Sequence, residues 1–158
     1  MTRTRPTWDA YFSQLAVMVA SRSTCLRRNV GALLVKGERI ISTGYNGAPQ
    51  GVPHCLEIGC LREAEGIPSG HRYELCRGVH AEQNAIINAA RYGISTIDSV
   101  LYCTNQPCML CARMLVNAGV VRVVHLGDFN DETAMGIFRD AGIEVCEYQI
   151  KGSENFED

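Results

Sequence analysis

A chain of 158 residues, with a hydrophobic share of 46% and a charged share of 20%, has the size and balance of one globular domain with a single core. Its apolar runs, such as Leu15-Ala16-Val17-Met18-Val19-Ala20, are far too short to cross a bilayer, and Met1-Thr2-Arg3-Thr4-Arg5-Pro6 leads into no apolar stretch or cleavage site, so the expected setting is cytoplasmic, without membrane contact. A net charge of −2 supplies no basic field for a polyanion, which argues against a nucleic-acid partner.

Thr7 is placed to cap a helix over 8–23 that carries Trp8, Phe12, Leu15 and Val19 on one face. Residues 30–35 and 39–45 are apolar, partly β-branched runs separated by Lys36-Gly37-Glu38, the pattern of an antiparallel hairpin. From 46 to 78 the chain has prolines at 49, 53 and 68, six glycines and no sustained period. A loop of that length in a compact domain calls for a function or an internal staple, and Cys55, Cys60, Cys76, His54 and His71 lie in it.

Helical periodicity returns over 79–92 and stops at Gly93; a short strand covers 99–104. Pro107 suits the first position of a helix reaching about 118 and closed by Gly119. A strand over 120–126, a helix over 132–141 closed by Gly142 and a strand over 143–148 follow, and the polar tail 151–158 is expected to fray. The order α-ββ-α-β-α-β-α-β predicts an α/β fold, a three-layer α/β/α sandwich around a five-strand mixed sheet. It would form one domain over 1–158, with a Cys-rich insertion at about 46–78.

Eight cysteines in such a chain point to metal or redox chemistry before disulfides. Cys108 and Cys111 are three positions apart at a helix start, so both sulfurs face one side of its first turn, where the helix dipole favours thiolates. His80, at the start of another helix, can supply a third ligand. Two thiolates and an imidazole suit Zn²⁺, and three protein ligands leave a fourth position open, as in catalytic sites. Glu82, two residues after His80, can carry protons beside the metal. Cys-x-x-Cys alone would equally suit structural zinc, closed by Cys103 or His125, or a redox pair. His-x-Glu followed by Pro-Cys-x-x-Cys is far rarer and is the signature of zinc nucleobase deaminases. Arg22, Arg27 and Arg28, just before the first strand, offer guanidinium forks for a phosphate, although surface arginines are mostly solvated.

On these residues the sequence resembles the cytidine and deoxycytidylate deaminase superfamily over about 8–148. The resemblance rests on Arg22-Ser23-Thr24-Cys25, Val30-Gly31-Ala32, Gly44-Tyr45-Asn46-Gly47, His80-Ala81-Glu82-Gln83-Asn84-Ala85-Ile86, Pro107-Cys108-Met109-Leu110-Cys111-Ala112 and Asn117-Ala118-Gly119-Val120. The Gly-Tyr-Asn-Gly segment and the Cys-rich insertion draw it toward the branch acting on deoxycytidylate. The resemblance implies that zinc on His80, Cys108 and Cys111 activates a water for attack on C4 of cytosine. Glu82 would move a proton to N3 and then to the leaving amine, converting dCMP to dUMP and ammonia for thymidylate synthesis. It implies Asn46 near the sugar and phosphate and Phe129 over the base; Arg27, Arg28, Ala81 and Thr104 complete the candidate substrate set. It also implies a hexamer of identical chains and the effectors dCTP and dTTP. Some members of the branch carry a second zinc in the insertion, for which Cys25, Cys55, Cys60 and Cys76 are candidate ligands and His54 and His71 competitors. The alternative is four buried thiols acting as small hydrophobes. Cys103 and Cys146, on strand positions, read as core. The rival activities are a deaminase of the same fold acting on dCTP, deoxycytidine, a free base or tRNA, and a non-catalytic zinc module, which would leave Glu82 without a use.

Overall fold

The computed structural model describes residues 5–127 and 129–150, so the expected fraying of 151–158 lies outside the described residues. Helix α1 (Trp8–Ala20) opens as its cap signal requires, with Thr7 Oγ1 accepting the Ala10 N–H at 3.2 Å. It stops three residues earlier than periodicity predicts, and of the expected face Phe12, Leu15 and Val19 pack on the core whereas Trp8 does not. Ala10, Phe12, Ser13, Ala16 and Ala20 are buried, while Trp8 is 41% exposed. The reason is a close approach. A Cβ at Gly31 would meet the Ala16 carbonyl at 2.2 Å and the Ala20 nitrogen at 2.5 Å, so only small residues fit between helix and strand.

Strands β1 (Gly31–Lys36) and β2 (Arg39–Tyr45) form the expected hairpin. Its two turn residues, Gly37 and Glu38, have φ of 54° and 60°, the left-handed pair of a type I′ turn. The stretch without a period is not structureless. It contains the single-turn helices α2 (Cys55–Ile58) and α3 (Leu61–Ala64) and a 3₁₀ turn over Tyr73–Leu75, and Gly47 pairs with Val79 in an isolated antiparallel bridge. One turn of helix is too short to print a period on a sequence.

Helix α4 (Ala81–Arg91), strand β3 (Ser99–Cys103), helix α5 (Met109–Asn117), strand β4 (Val120–His125), helix α6 (Glu132–Asp140) and strand β5 (Glu144–Glu147) complete the fold. α4 begins after His80 rather than at 79, because His80 is extended (φ −68°, ψ 156°) and its N–H donates to Gln83 Oε1 at 3.0 Å. Pro107 is likewise outside its helix. Cys108 is the extended cap residue and the first helical N–H, from Met109, donates to Asp131 Oδ2 at 2.9 Å. Gly93 and Gly142, with φ of 67° and 70°, end α4 and α6 as expected, each followed by an N–H that reaches back to the helix (Ile94 to Ala89 O, Ile143 to Phe138 O, both 2.9 Å).

The sheet order is β2-β1-β3-β4-β5, antiparallel across β2-β1-β3 and parallel across β3-β4-β5. Alternation along the strands divides the core in two. Leu34, Leu101 and Val123 pack with Ala85, Leu115 and Phe138 of α4, α5 and α6 on one face. Leu33, Tyr102 and Val124 pack with Phe12 and Ala16 of α1 on the other. The result is the predicted three-layer sandwich with a five-strand mixed sheet. On the α1 side, Arg122 makes two hydrogen bonds to Asp9, both 2.9 Å, and the Tyr102 hydroxyl donates to Asp9 at 2.8 Å. Among the described residues, no helix is long and apolar enough to cross a membrane.

Candidate active site

The ends of α4 and α5 meet on the three-helix face, and the reason α4 stands where it does is written in β2. A Cβ at Gly44 would strike the Ala81 carbonyl at 2.2 Å, so the helix start rides directly on the strand. Asn84 and Asn88, one turn apart, donate to the Tyr45 and Thr43 carbonyls at 2.8 and 2.9 Å, which fixes the helix against this edge strand. α5 is fixed differently. The Asp131 carboxylate accepts from Met109 at the start of α5 and from Ala134 in the first turn of α6 (3.0 Å), so one side chain caps both helices.

These anchors bring together the residues that sequence spacing singles out. His80 Nδ1 lies 3.5 Å from Cys108 Sγ and 3.4 Å from Cys111 Sγ. Tetrahedral zinc, with its sulfur and nitrogen ligands at about 2.3 and 2.0 Å, spaces them about 3.5 Å apart, so the donor set fits that ion. Among the described residues, this is the only trio of potential metal ligands whose donor atoms all lie within 4.8 Å of one another. Cys103 and His125 stay out of it. Cys103 is buried in the core, and His125 Nδ1 accepts the Gly127 N–H at 3.2 Å.

Cys108 is pushed down to about 4 by hydrogen bonding from Cys111 and then from His80. The same bond, with burial behind it, holds Cys111 far up. The two sulfurs thus keep one proton between them, and a divalent cation taking both must release it. Glu82 is 4% exposed, and burial raises its pKa against the opposing pull of His80. Burial thus favours the protonated form of a carboxyl group placed beside the ligand cluster, the property a proton carrier at this position needs.

An open cleft of about 130 Å³ runs from this cluster to the insertion. His80, Ala81, Glu82 and Cys108 line one end. Arg27, Arg28, Asn46 and Phe129 also line it. Asn46 is occupied in holding the backbone: its Oδ1 accepts from Val30 N–H and its Nδ2 donates to the Arg28 carbonyl, both at 2.8 Å. Arg28 lies over the Phe129 ring, 5.7 Å from its centroid. Thr104 is elsewhere; its hydroxyl accepts from Gly31 N–H at 3.1 Å and donates to Asn105 at 3.2 Å, and it is not part of the cleft wall.

Cys25, Cys55, Cys60 and Cys76 all line the insertion end of the same cleft. No three of their sulfurs come within 4.8 Å of one another as the His80 cluster does. His54 and His71 do not line the cleft. Three residues that carry the site escaped the sequence reading. Tyr73 and the His80 imidazole pack in a T-shaped pair (5.0 Å, 74°), Arg62 is buried in the cleft wall, and Asp131 caps both α5 and α6. Only Asp131 had a local signal, an acidic residue just before a helical run. Tyr73 and Arg62 lie in the stretch without a period.

The family model described as the cytidine and deoxycytidylate deaminase zinc-binding region matches residues 6–126. The deoxycytidylate deaminase of Schizosaccharomyces pombe is 37% identical over 147 residues, covering 92% of this chain and 45% of that protein. The chain thus spans less than half the length of that relative. The deoxycytidylate deaminase of Mycobacterium phage D29 is 40% identical over 126 residues, 77% of this chain and 95% of that protein. The crystal structure of dCMP deaminase from the cyanophage S-TIM5 in complex with dCMP and dUMP superposes with a TM-score of 0.77 at 28% identity, covering 92% of this chain and all of that one.

Proposed function

This chain belongs to the cytidine and deoxycytidylate deaminase family, and from that premise we propose that it hydrolyses dCMP to dUMP and ammonia. The observation that carries the proposal is the cluster of His80, Cys108 and Cys111, of which His80 and Cys108 line one cleft with the buried Glu82. His80, Cys108 and Cys111 would hold Zn²⁺, which when bound supplies the Lewis acidity that makes water nucleophilic at neutral pH. Two thiolates offset the charge of the ion, so Glu82 faces a nearly neutral centre and exchanges protons freely. In this role Glu82 accepts the proton of the attacking water, passes it to N3 of the cytosine ring, and assists protonation of the amino group as it leaves C4. Phe129 would cover the base and Ala81 would lie against it. Arg27 and Arg28 would face the phosphate, and Asn46 would hold the strap that carries Arg28.

A second zinc on Cys25, Cys55, Cys60 and Cys76 belongs to the same proposal. Its support is local: the Arg27 N–H donates to Cys25 Sγ and the Gly78 N–H to Cys76 Sγ, both at 3.4 Å and both two residues on, the turn in which backbone N–H groups favour a thiolate. Cys55 is pushed up by burial and then by Cys60, Cys25 and Cys76, as thiols sharing one neighbourhood would be. A cytoplasmic setting belongs to the same reading, because cysteines used as zinc ligands suit a reducing compartment. The exposed Tyr11, Val17 and Met18 on α1 support an assembly of identical chains, for which a hexamer is the expected size.

The test is steady-state release of ammonia from dCMP, dCTP and deoxycytidine, with and without added dCTP or dTTP as effector, alongside zinc counted per chain. The expected result is fast turnover of dCMP and a loss of about 10²- to 10⁴-fold in Glu82→Gln, with the zinc content unchanged. Failure of every cytosine compound in a zinc-loaded preparation would overturn the reading.

A further inference from the structure

Two arginines at the insertion end of the cleft are bound to the same short piece of backbone. Arg27 Nη2 donates to the Ile67 carbonyl at 2.9 Å, and Arg62 Nη2 donates to the next carbonyl, that of Pro68, at 3.2 Å. Both side chains line the cleft. Arg62 is only 8% exposed and lies over the Tyr73 ring, 5.3 Å from its centroid, the same ring that packs against His80. Among the described residues, neither arginine pairs with a carboxylate. Each is left with a buried donor that has no partner, Nη1 of Arg27 and Nε of Arg62, and the buried Thr24 hydroxyl on the same cleft wall is also unpartnered.

Two guanidinium groups on neighbouring carbonyls, Arg62 buried and Arg27 half-buried, repel each other and leave costly unmade hydrogen bonds at their buried nitrogens, unless an anion sits between them. A phosphate monoester supplies two negative charges and three terminal oxygens, matching two guanidinium donors and one hydroxyl. We propose that Arg62, with Arg27 and Thr24, is the clamp for the phosphate of a nucleoside monophosphate, so that the Cys-rich insertion determines selection of nucleotide over nucleoside. The clamp rests on the reading of the cleft as a cytosine-nucleotide site and adds to it Arg62, a residue of the insertion that no sequence motif marks. The cysteines hold its parts. Cys60 is the cap residue of α3, which carries Arg62, and Cys25 accepts the backbone N–H of Arg27.

The experiment compares wild type, Arg62→Gln, Arg62→Lys and Arg27→Gln in the zinc-loaded protein. Measurements are kcat and KM for dCMP, kcat/KM for deoxycytidine, inhibition by inorganic phosphate, and Tm. Loss of a charged hydrogen bond to phosphate is expected to raise KM for dCMP by about 10- to 100-fold in Arg62→Gln, with kcat held within about threefold. Deoxycytidine turnover should not change, inhibition by phosphate should weaken in parallel, and Arg62→Lys should recover part of the loss.

A fall in dCMP and deoxycytidine activity by the same factor would overturn the clamp, because it would mean that Arg62 only supports Pro68 and Tyr73. An unchanged KM in a folded variant would overturn it too. Binding of inorganic phosphate by calorimetry, strong in wild type and weak in both glutamine variants, is read without turnover. It therefore separates failure of the clamp from failure of the dCMP reading.

Discussion

The molecule gathers two sets of cysteine-rich side chains at one cleft, one with the spacing of a metal site and one without it, and they are built in opposite ways. His80, Cys108 and Cys111 sit at the starts of α4 and α5, with Gly44, Asn84 and Asp131 fixing those helices, and their donor atoms already have the spacing of a tetrahedral ion. Cys25, Cys55, Cys60 and Cys76 sit on turns and single-turn helices, gathered at one end of the cleft without closing on a common point. The first set is positioned by the fold before any ion arrives. The second would be positioned by its ion, and the arginines of the insertion with it.

That contrast can be broken most sharply at the rigid set. Cys111→Ser replaces a soft ligand in a fully buried position and should reduce turnover to background and remove one zinc per chain. Tm should move little by comparison, because α5 remains held by Asp131 and by the packing of Leu115. A large fall in Tm, with zinc retained, would mean that the triad is a structural staple.

The converse is expected of the loop set. Cys60→Ser should leave the triad zinc and most of kcat, lower the count from two zinc to one, and raise KM for dCMP about tenfold through the displaced Arg62. A wild-type count of one zinc per chain, unchanged in Cys60→Ser, would reduce the four cysteines to buried thiols and remove the comparison.

The same division decides what the sequence could reveal. The triad was legible because helix starts and i, i+3 spacing turn sequence separation directly into geometry, as Cys108 and Cys111 show. The sheet and its helices were legible because their periods extend over several turns or residues. On α1 the expected face holds for Phe12, Leu15 and Val19 but not for Trp8, and hydrophobicity gave no sign of Ala16 and Ala20, which the close contact with Gly31 selects. The insertion was opaque for a third reason. Arg62 and Tyr73 reach the cleft through tertiary contacts with Pro68 and His80, which no local pattern encodes.

Asp131 offers a finer test of preorganisation, since it supports the triad without touching an ion. Asp131→Ala removes the side-chain acceptor from both α5 and α6 and should cost about 1–3 kcal/mol of stability by denaturant titration, two caps at about 1 kcal/mol each. Asp131→Asn should recover most of it. If kcat falls several-fold in the alanine variant and returns in the asparagine variant, the helix start is tuned as well as held.

The smallest expected effect is a control on the opposite face of the sheet. Asp9 accepts from Arg122 and Tyr102, and hydrogen bonding from Arg122 holds its carboxyl below the usual range. A carboxylate with a depressed folded-state pKa adds stability above its unfolded value of about 3.9, and that stability is lost as the pH falls through the folded value. Asp9→Asn should therefore lower stability by about 1–2 kcal/mol at pH 7, as expected for a bidentate, partly buried pair. The gap from wild type should persist down to about pH 4 and close below it. Turnover and zinc content should not change at pH 7, because the sheet separates this pair from the cleft. A change in kcat would show that α1 also bears on the site, and the clean contrast between a fold-positioned triad and an ion-positioned insertion would then need a third contributor.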